Sequence, residues 1–141
     1  MTPTLQEGME FEFVYEVPAD KTVPHLFPEF AEGGLMPAVL ATGYMVGLFE
    51  FACIKTINPH IDWPRQQTVG IHVNLSHTAA TPPGFTVTVK GRLEKIDGRR
   101  LLFSLSAHDG KDTISEGTHE RFIIEADKFK AAVRAKQDGK D

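Results

Sequence analysis

Three side chains of types that take part together in acyl chemistry stand at Thr42, Glu50 and His77. Glu50 is the one charged residue in the otherwise apolar stretch 41–54. A buried carboxylate without a partner is costly, so Glu50 must reach water, pair with a cation or take part in a reaction. A histidine beside a glutamate and a threonine suits proton transfer and attack on a carbonyl carbon.

Thr42 and Glu50 are eight residues apart, and the apolar stretch around them indicates a helix. At the helical repeat their directions differ by about 80°, so both side chains can border one groove. Thr42 and Gly43 fall near the predicted start of this helix, where unpaired N–H groups and the helix dipole favour a carbonyl or an oxyanion. The alternative is that Thr42 only caps the helix or bonds back to its backbone.

Alternatives also exist for the other two side chains. Glu50 has three candidate structural partners among the strand arginines, namely Arg92, Arg100 and Arg121. His77 opens the polar run "HTAATPPG", and a β-bulge at the end of the preceding strand would aim its ring at the helix. Otherwise His77 is a hydrogen-bonded loop residue.

The remaining candidate groups indicate no further chemistry. The six histidines include no pair at the four-residue spacing of a helical metal site, and no cysteine or aspartate cluster joins them, so we expect no metal. The single cysteine, Cys53, reads as a small core residue, and one cysteine fits a reduced compartment. The basic residues between 128 and 136 are typical of a solvated helix face.

Composition places the chain among ordinary globular domains. Its 141 residues are 41% hydrophobic and 24% charged, which predicts one domain over 1–141. A net charge of −4 favours neither nucleic acid nor a membrane surface as a partner. The apolar run 39–54 is shorter than the ~20 residues of a membrane span. The N-terminal residues lack the pattern of a secretory signal, so we expect a cytoplasmic protein.

Hydrophobic periodicity predicts the elements that must position these side chains. Alternating residues indicate strands at 9–17, 68–76 and 85–96, and the turn signals "DG" at 97–98 and 109–110 predict that further strands follow at 99–108 and 111–124. The long helix is predicted to start near Pro37 or Ala38 and to run to about Thr56, and a short basic helix follows the last strand. Residues 18–37 are rich in proline and glycine and read as a lid or binding loop, or as a loop that only packs on the surface. Apolar contacts in that loop include Val23, Leu26 and Met36.

The order of these elements favours one α+β architecture, the hotdog fold, in which an antiparallel sheet wraps around one long central helix. Such a sheet keeps an unpaired edge, which predicts that two copies of the chain associate as a homodimer.

Several long strings resemble the fluoroacetyl-CoA thioesterase family of hotdog proteins. They include "KTVPHLFPEFAEG", "PAVLATGYMVGLFEFAC", "SHTAATPPGFTVTVKGRL" and "GTHERFII", and the resemblance runs from about Glu10 to Lys136. It implies hydrolysis of an acyl-CoA to a carboxylate and coenzyme A, with no cofactor, because coenzyme A is part of the substrate. Two alternatives are a non-catalytic acyl-CoA-binding module and a hotdog hydratase, although the strings expected for the latter are missing.

The resemblance also assigns residues. It implies Thr42, Glu50 and His77 as the catalytic set, and Gly70 and Arg121 as contacts of the acyl thioester.

One departure lies in the segment before the long helix. There the family carries phenylalanines that cover the acyl group, whereas this chain has Gly33 and Met36. Methionine is adaptable and glycine fills no space, so we predict broader acyl selectivity. Val23 and Leu26 would line the same acyl-binding region.

Overall fold

The computed structural model describes residues 4–139, which form one antiparallel sheet and three α-helices. The strands are β1 (Glu10–Glu16), β2 (Gln66–Leu75), β3 (Thr86–Asp97), β4 (Arg100–His108) and β5 (Thr113–Glu125). The helices are α1 (Ala31–Gly34), α2 (Thr42–Ile57) and α3 (Ala126–Asp138). The sheet order is β1-β3-β4-β5-β2, so β1 and β2 are its edges. The predicted hotdog architecture is confirmed.

Helix α2 forms the centre of the core. Met45, Phe49 and Cys53 recur at four-residue spacing on α2 and are fully buried. Buried side chains of β3 and β4 join them in one hydrophobic cluster, namely Val87, Val89, Leu93, Leu101 and Phe103. The opposite side of α2 carries Gly47 and Glu50, which stay partly accessible.

Helix α2 begins four to five residues later than the sequence pattern predicts, at Thr42. The preceding backbone is extended because its N–H groups have other partners. Leu40 donates to the carbonyl of Thr81 (2.8 Å), and Ala41 donates to the carbonyl of Lys21 (3.2 Å). The apolar residues before Thr42 therefore tie two loops together instead of continuing the helix.

The edge strand β2 departs from the predicted pattern in two ways. Ile71 and Val73 are apolar positions of the alternating stretch 68–76, which predicts that they face the interior, yet they are 43% and 41% exposed. The β-bulge lies between Gly70 and His72, not at the end of the strand, so the predicted bulge before His77 is wrong. His77 instead follows the strand in an irregular loop.

The segment before α2 is irregular, as predicted, with 3-10 turns at Ala19–Lys21 and Val23–His25 and the short helix α1. Leu26 packs on the start of α2, where its δ-carbon lies 3.4 Å from the position that a Cβ at Gly43 would take. Met36 is 52% exposed.

Among the helices of residues 4–139, none is long and apolar enough to cross a membrane.

Candidate active site

Thr42 and His77 form a direct contact at the start of α2. The Thr42 Oγ1 atom lies 2.8 Å from His77 Nδ1. The loop that carries His77 is held on both sides of this residue. Ser76 donates its N–H to the carbonyl of Glu116 (2.9 Å), and Thr78 donates its N–H to the carbonyl of Ile114 (2.8 Å). The histidine ring is therefore fixed against the helix by its own loop.

The second ring nitrogen of His77 is available for chemistry. Its Nε2 atom is buried and has no hydrogen-bond partner within residues 4–139. Burial lowers the pKa of His77 below its ordinary value of 6.5, so the ring is neutral at neutral pH. A neutral imidazole with one unused nitrogen can carry a proton to or from a reacting group.

The first turn of α2 provides donors beside this pair. Ala41 precedes the helix and offers no side-chain cap. The first backbone hydrogen bond of the helix runs from the Met45 N–H to the carbonyl of Ala41 (2.9 Å). Within the described residues, the N–H groups of the helix residues before Met45 are therefore unpaired. Donors fixed in this way stabilise negative charge that develops on a carbonyl oxygen.

Glu50 is joined to Arg121. The Arg121 Nη1 atom donates to Glu50 Oε2 at 3.0 Å. The arginine side chain is 3% exposed, whereas the glutamate side chain is 40% exposed. Of the three arginines that the sequence left open, the structure therefore selects the one on β5. Arg92 is paired elsewhere, since its Nε atom lies 3.2 Å from Oε1 of Glu94.

Gly70 brings the backbone of β2 against this ion pair. A Cβ at Gly70 would lie 2.9 Å from Glu50 Oε2 and 3.3 Å from Arg121 Nη1. A side chain at this position would push into the carboxylate, so only glycine leaves Glu50 in place. Gly70 also pairs with Arg121 in the β2–β5 register, so the three residues meet at one point.

The predicted site residues thus fall into two clusters, the Thr42–His77 pair and the Glu50–Arg121 pair with Gly70. In the described part of the chain no hydrogen bond or ion pair joins the two. The eight-residue spacing of Thr42 and Glu50 places them about 12 Å apart along the axis of α2. The catalytic roles of these residues stay predictions.

Sequence reasoning missed two residues at the Glu50–Arg121 pair. The Thr68 hydroxyl and carbonyl accept hydrogen bonds from Arg121 Nε and Nη2, at 2.8 and 2.9 Å. His119 Nε2 lies 3.1 Å from Arg121 Nη1. Strand alternation was the available signal, because residues 119 and 121 of β5 must share a face.

Over residues 4–139, no group of three or more histidine, cysteine or acidic side chains is placed to bind a metal ion.

The fold and the site define the class of hotdog thioesterases. A hot-dog-like protein from Thermanaerovibrio acidaminovorans matches the fold with a TM-score of 0.77 at 17% identity, over 96% of this chain and 93% of that chain. The structure of the fluoroacetyl-CoA thioesterase FlK gives a TM-score of 0.91 at 48% identity, over 94% of this chain and 97% of that chain.

Sequence comparison gives the family. A fluoroacetyl-CoA thioesterase from Streptantibioticus cattleyicolor is 47% identical over 136 residues, which are 96% of this chain and 97% of that protein. The sequence pattern of the fluoroacetyl-CoA-specific thioesterases matches residues 23–127. The chain belongs to this family and is a thioester hydrolase.

Proposed function

We propose that the protein hydrolyses short-chain acyl-CoA thioesters to a carboxylate and coenzyme A. The observation that carries this proposal is the Thr42–His77 contact of 2.8 Å beside the unpaired N–H groups of α2. The two fluoroacetyl-CoA thioesterases named above act on fluoroacetyl-CoA. Water is the second reactant, and coenzyme A enters as part of the substrate, so the proposed reaction needs no cofactor.

In the proposed reaction the thioester carbonyl oxygen lies at the start of α2, where backbone N–H groups stabilise the oxyanion. Arg121 anchors Glu50 Oε2, which leaves Oε1 to attack the carbonyl carbon or to take a proton from the attacking water. The C–S bond breaks, and the proton that the attacking water loses passes through His77 Nε2 to the departing thiolate. Thr42 orients the His77 ring through Nδ1.

Loss of Glu50 tests the activity. We would measure the release of free thiol from acetyl-, fluoroacetyl-, propionyl- and an aromatic acyl-CoA, with Glu50→Gln as the matched variant. The amide keeps the size of the side chain but cannot act as a base or nucleophile, so thiol release should fall by orders of magnitude. Equal turnover by the variant would refute the role of Glu50, and no release from any thioester by the unmodified protein would refute the proposed function.

The homodimer is also part of the proposal. The exposed Ile71 and Val73 lie on the edge strand β2, and Gly70 of the same strand borders Glu50. We propose that two chains pair through β2, and that Thr42 and His77 of one subunit meet Glu50 of the partner subunit. This arrangement would join the two clusters that one chain keeps apart.

A cytoplasmic location fits the single free, buried Cys53.

Mixed dimers test the shared site. We expect Thr42→Ala and Glu50→Gln each to inactivate the protein when present in both subunits. When the two variants are unfolded together and refolded, half of the dimers are mixed, and each mixed dimer has one intact shared site. We expect recovery of about a quarter of the unmodified activity. No recovery, with mixed dimers shown by mass spectrometry, would place each site within one subunit.

The exposed Met36 bears on acyl selectivity. Its flexible side chain and the absence of a side chain at Gly33 leave the acyl group loosely covered, so we propose that several short acyl groups are accepted. Met36→Phe should narrow the preference across the same acyl-CoA panel, whereas Leu35→Phe is the control at the neighbouring exposed position. An unchanged preference in Met36→Phe would contradict a role for this segment.

A further inference from the structure

Arg121 is a buried guanidinium with four hydrogen-bond contacts. It donates to the Thr68 hydroxyl, to the Thr68 carbonyl and to Glu50, at 2.8, 2.9 and 3.0 Å. The fourth contact, at 3.1 Å, is with His119 Nε2. Two of the four contacts use Nη1, one toward Glu50 and one toward His119. The direction in which Nη1 holds the carboxylate therefore depends on His119.

The partners of His119 determine which ring nitrogen carries the proton. Its Nδ1 atom lies 2.8 Å from the backbone carbonyl oxygen of His72, which can only accept a hydrogen bond. Nδ1 must therefore be the N–H donor, and the lone pair of Nε2 must accept from Arg121. This assignment uses both nitrogens of a ring that is 1% exposed. No ring nitrogen is left to reach a substrate.

We propose that His119 is a positioning residue that acts through Arg121 to hold the Glu50 carboxylate in its reactive orientation. The inference rests on the proposed function, because it assigns Glu50 a role in catalysis. Protonation of His119 would place an N–H at Nε2 against the N–H of Arg121, and the contact would be lost. The ring must stay neutral for the arrangement to persist.

The surroundings of His119 favour that neutral form. The charged groups near the ring are Arg121 and Glu120 on β5 and Glu50 on α2. Strand β2 contributes the His72 carbonyl. On β4, the residue paired with His119 is the uncharged Phe103. Burial lowers the pKa of His119 below 6.5, the His72 carbonyl raises it, Arg121 lowers it, and Glu50 and Glu120 raise it, with a net shift downward. A neutral ring that accepts from Arg121 fixes the donor that holds the Glu50 carboxylate.

Two substitutions separate positioning from simple packing. His119→Leu fills the space but removes the acceptor for Arg121. His119→Gln places an amide oxygen near the position of Nε2 and cannot be protonated. His108→Gln, at the exposed end of β4, is the control. We expect His119→Leu to lose about 10- to 100-fold in kcat for thiol release with a smaller change in KM. His119→Gln should stay within about threefold of the unmodified protein.

The pH profile provides a readout that packing alone would not move. His77 and His119 must both be neutral in the unmodified protein, so His119→Gln should shift the acid midpoint of kcat to lower pH. Full activity in a folded His119→Leu, or an unshifted midpoint in His119→Gln, would overturn the proposal. If His119→Leu does not fold, the pH profile of His119→Gln decides.

A measurement without substrate keeps this inference distinct from the proposed function. Nitrogen-15 NMR of the histidine rings should show His119 as the neutral Nδ1–H form at pH 7. An Nε2–H form would overturn the assignment even if the enzyme is active. A third outcome is that His119 has the Nδ1–H form but the protein releases no thiol. That result would refute the proposed function and the catalytic part of this inference, whereas the predicted contact of His119 with Arg121 would stand.

Discussion

The substitution Gly70→Ala tests the close approach of β2 to the Glu50 carboxylate. The new Cβ would lie 2.9 Å from Glu50 Oε2, which is 0.5 Å inside the 3.4 Å at which ordinary contacts begin. It would also lie 3.2 Å from His119 Cε1 and 3.3 Å from Arg121 Nη1. Both of those side chains are buried and hydrogen-bonded, so the carboxylate, at the end of a half-exposed side chain, is the group that moves.

The expected result is a loss of activity with little loss of stability. A carboxylate displaced by about 0.5 Å is misaligned for attack, and we expect kcat/KM for thiol release to fall about tenfold or more, since a 1 Å error costs about 100-fold. The free energy of unfolding should change by less than about 1.5 kcal/mol, because a flexible chain end absorbs the contact.

The matched control is Gly47→Ala, since a Cβ there meets nothing within 4 Å. Alanine in a helix interior should raise the free energy of unfolding by about 0.5–1 kcal/mol without displacing Glu50. Thiol-release kinetics and urea unfolding of both variants give the comparison. A folded Gly70→Ala protein with unmodified kcat/KM would show that the placement of Glu50 against β2 has no part in turnover.

Three further predictions concern stability and reactivity. Burial lowers the pKa of His77 and of His119 below 6.5, so the unfolded chain binds more protons at acid pH. The free energy of unfolding by urea should therefore be fully retained above pH 6.5 and fall below it, and a flat profile down to pH 5 would contradict this reasoning. Burial raises the pKa of Cys53 to about 12, so an aromatic disulfide reagent at pH 8 should label the thiol only after unfolding. Rapid labelling of Cys53 in the folded protein would contradict this prediction. Thr81→Val removes one of three hydrogen bonds to Asp109, and calorimetry should show a loss of about 1–3 kcal/mol against a Thr78→Val control.

Local patterns predicted most of the fold. The two Asp-Gly turn signals located β4 and β5. Alternation located β1, β2 and β3, since side chains on successive positions of a strand must face opposite sides of the sheet. It failed at Ile71 and Val73, because alternation shows which residues share a face but not whether that face is covered. The start of α2 was predicted too early because the partners of Leu40 and Ala41 lie on distant loops.

Prediction of the site divides in the same way. Residue types and the polar run after β2 indicated Thr42 and His77, and the resemblance grouped them with Glu50 as one catalytic set. The partner of Glu50 remained one of three arginines, because the sequence does not show how β5 is placed against α2. Thr68 and His119 were missed for that reason, since it is Arg121 that links them to Glu50.

The strand order has a consequence for how the chain folds. The β3–β4 and β4–β5 hairpins close through tight turns at Gly98 and Gly110, which adopt positive φ angles. The contact between Glu50 and Arg121, in contrast, joins residues 71 positions apart in sequence. Contacts between distant segments form slowly, because the intervening chain must first lose its conformational freedom. During refolding, the β3–β4 and β4–β5 hairpins should therefore form before the contact between Glu50 and Arg121.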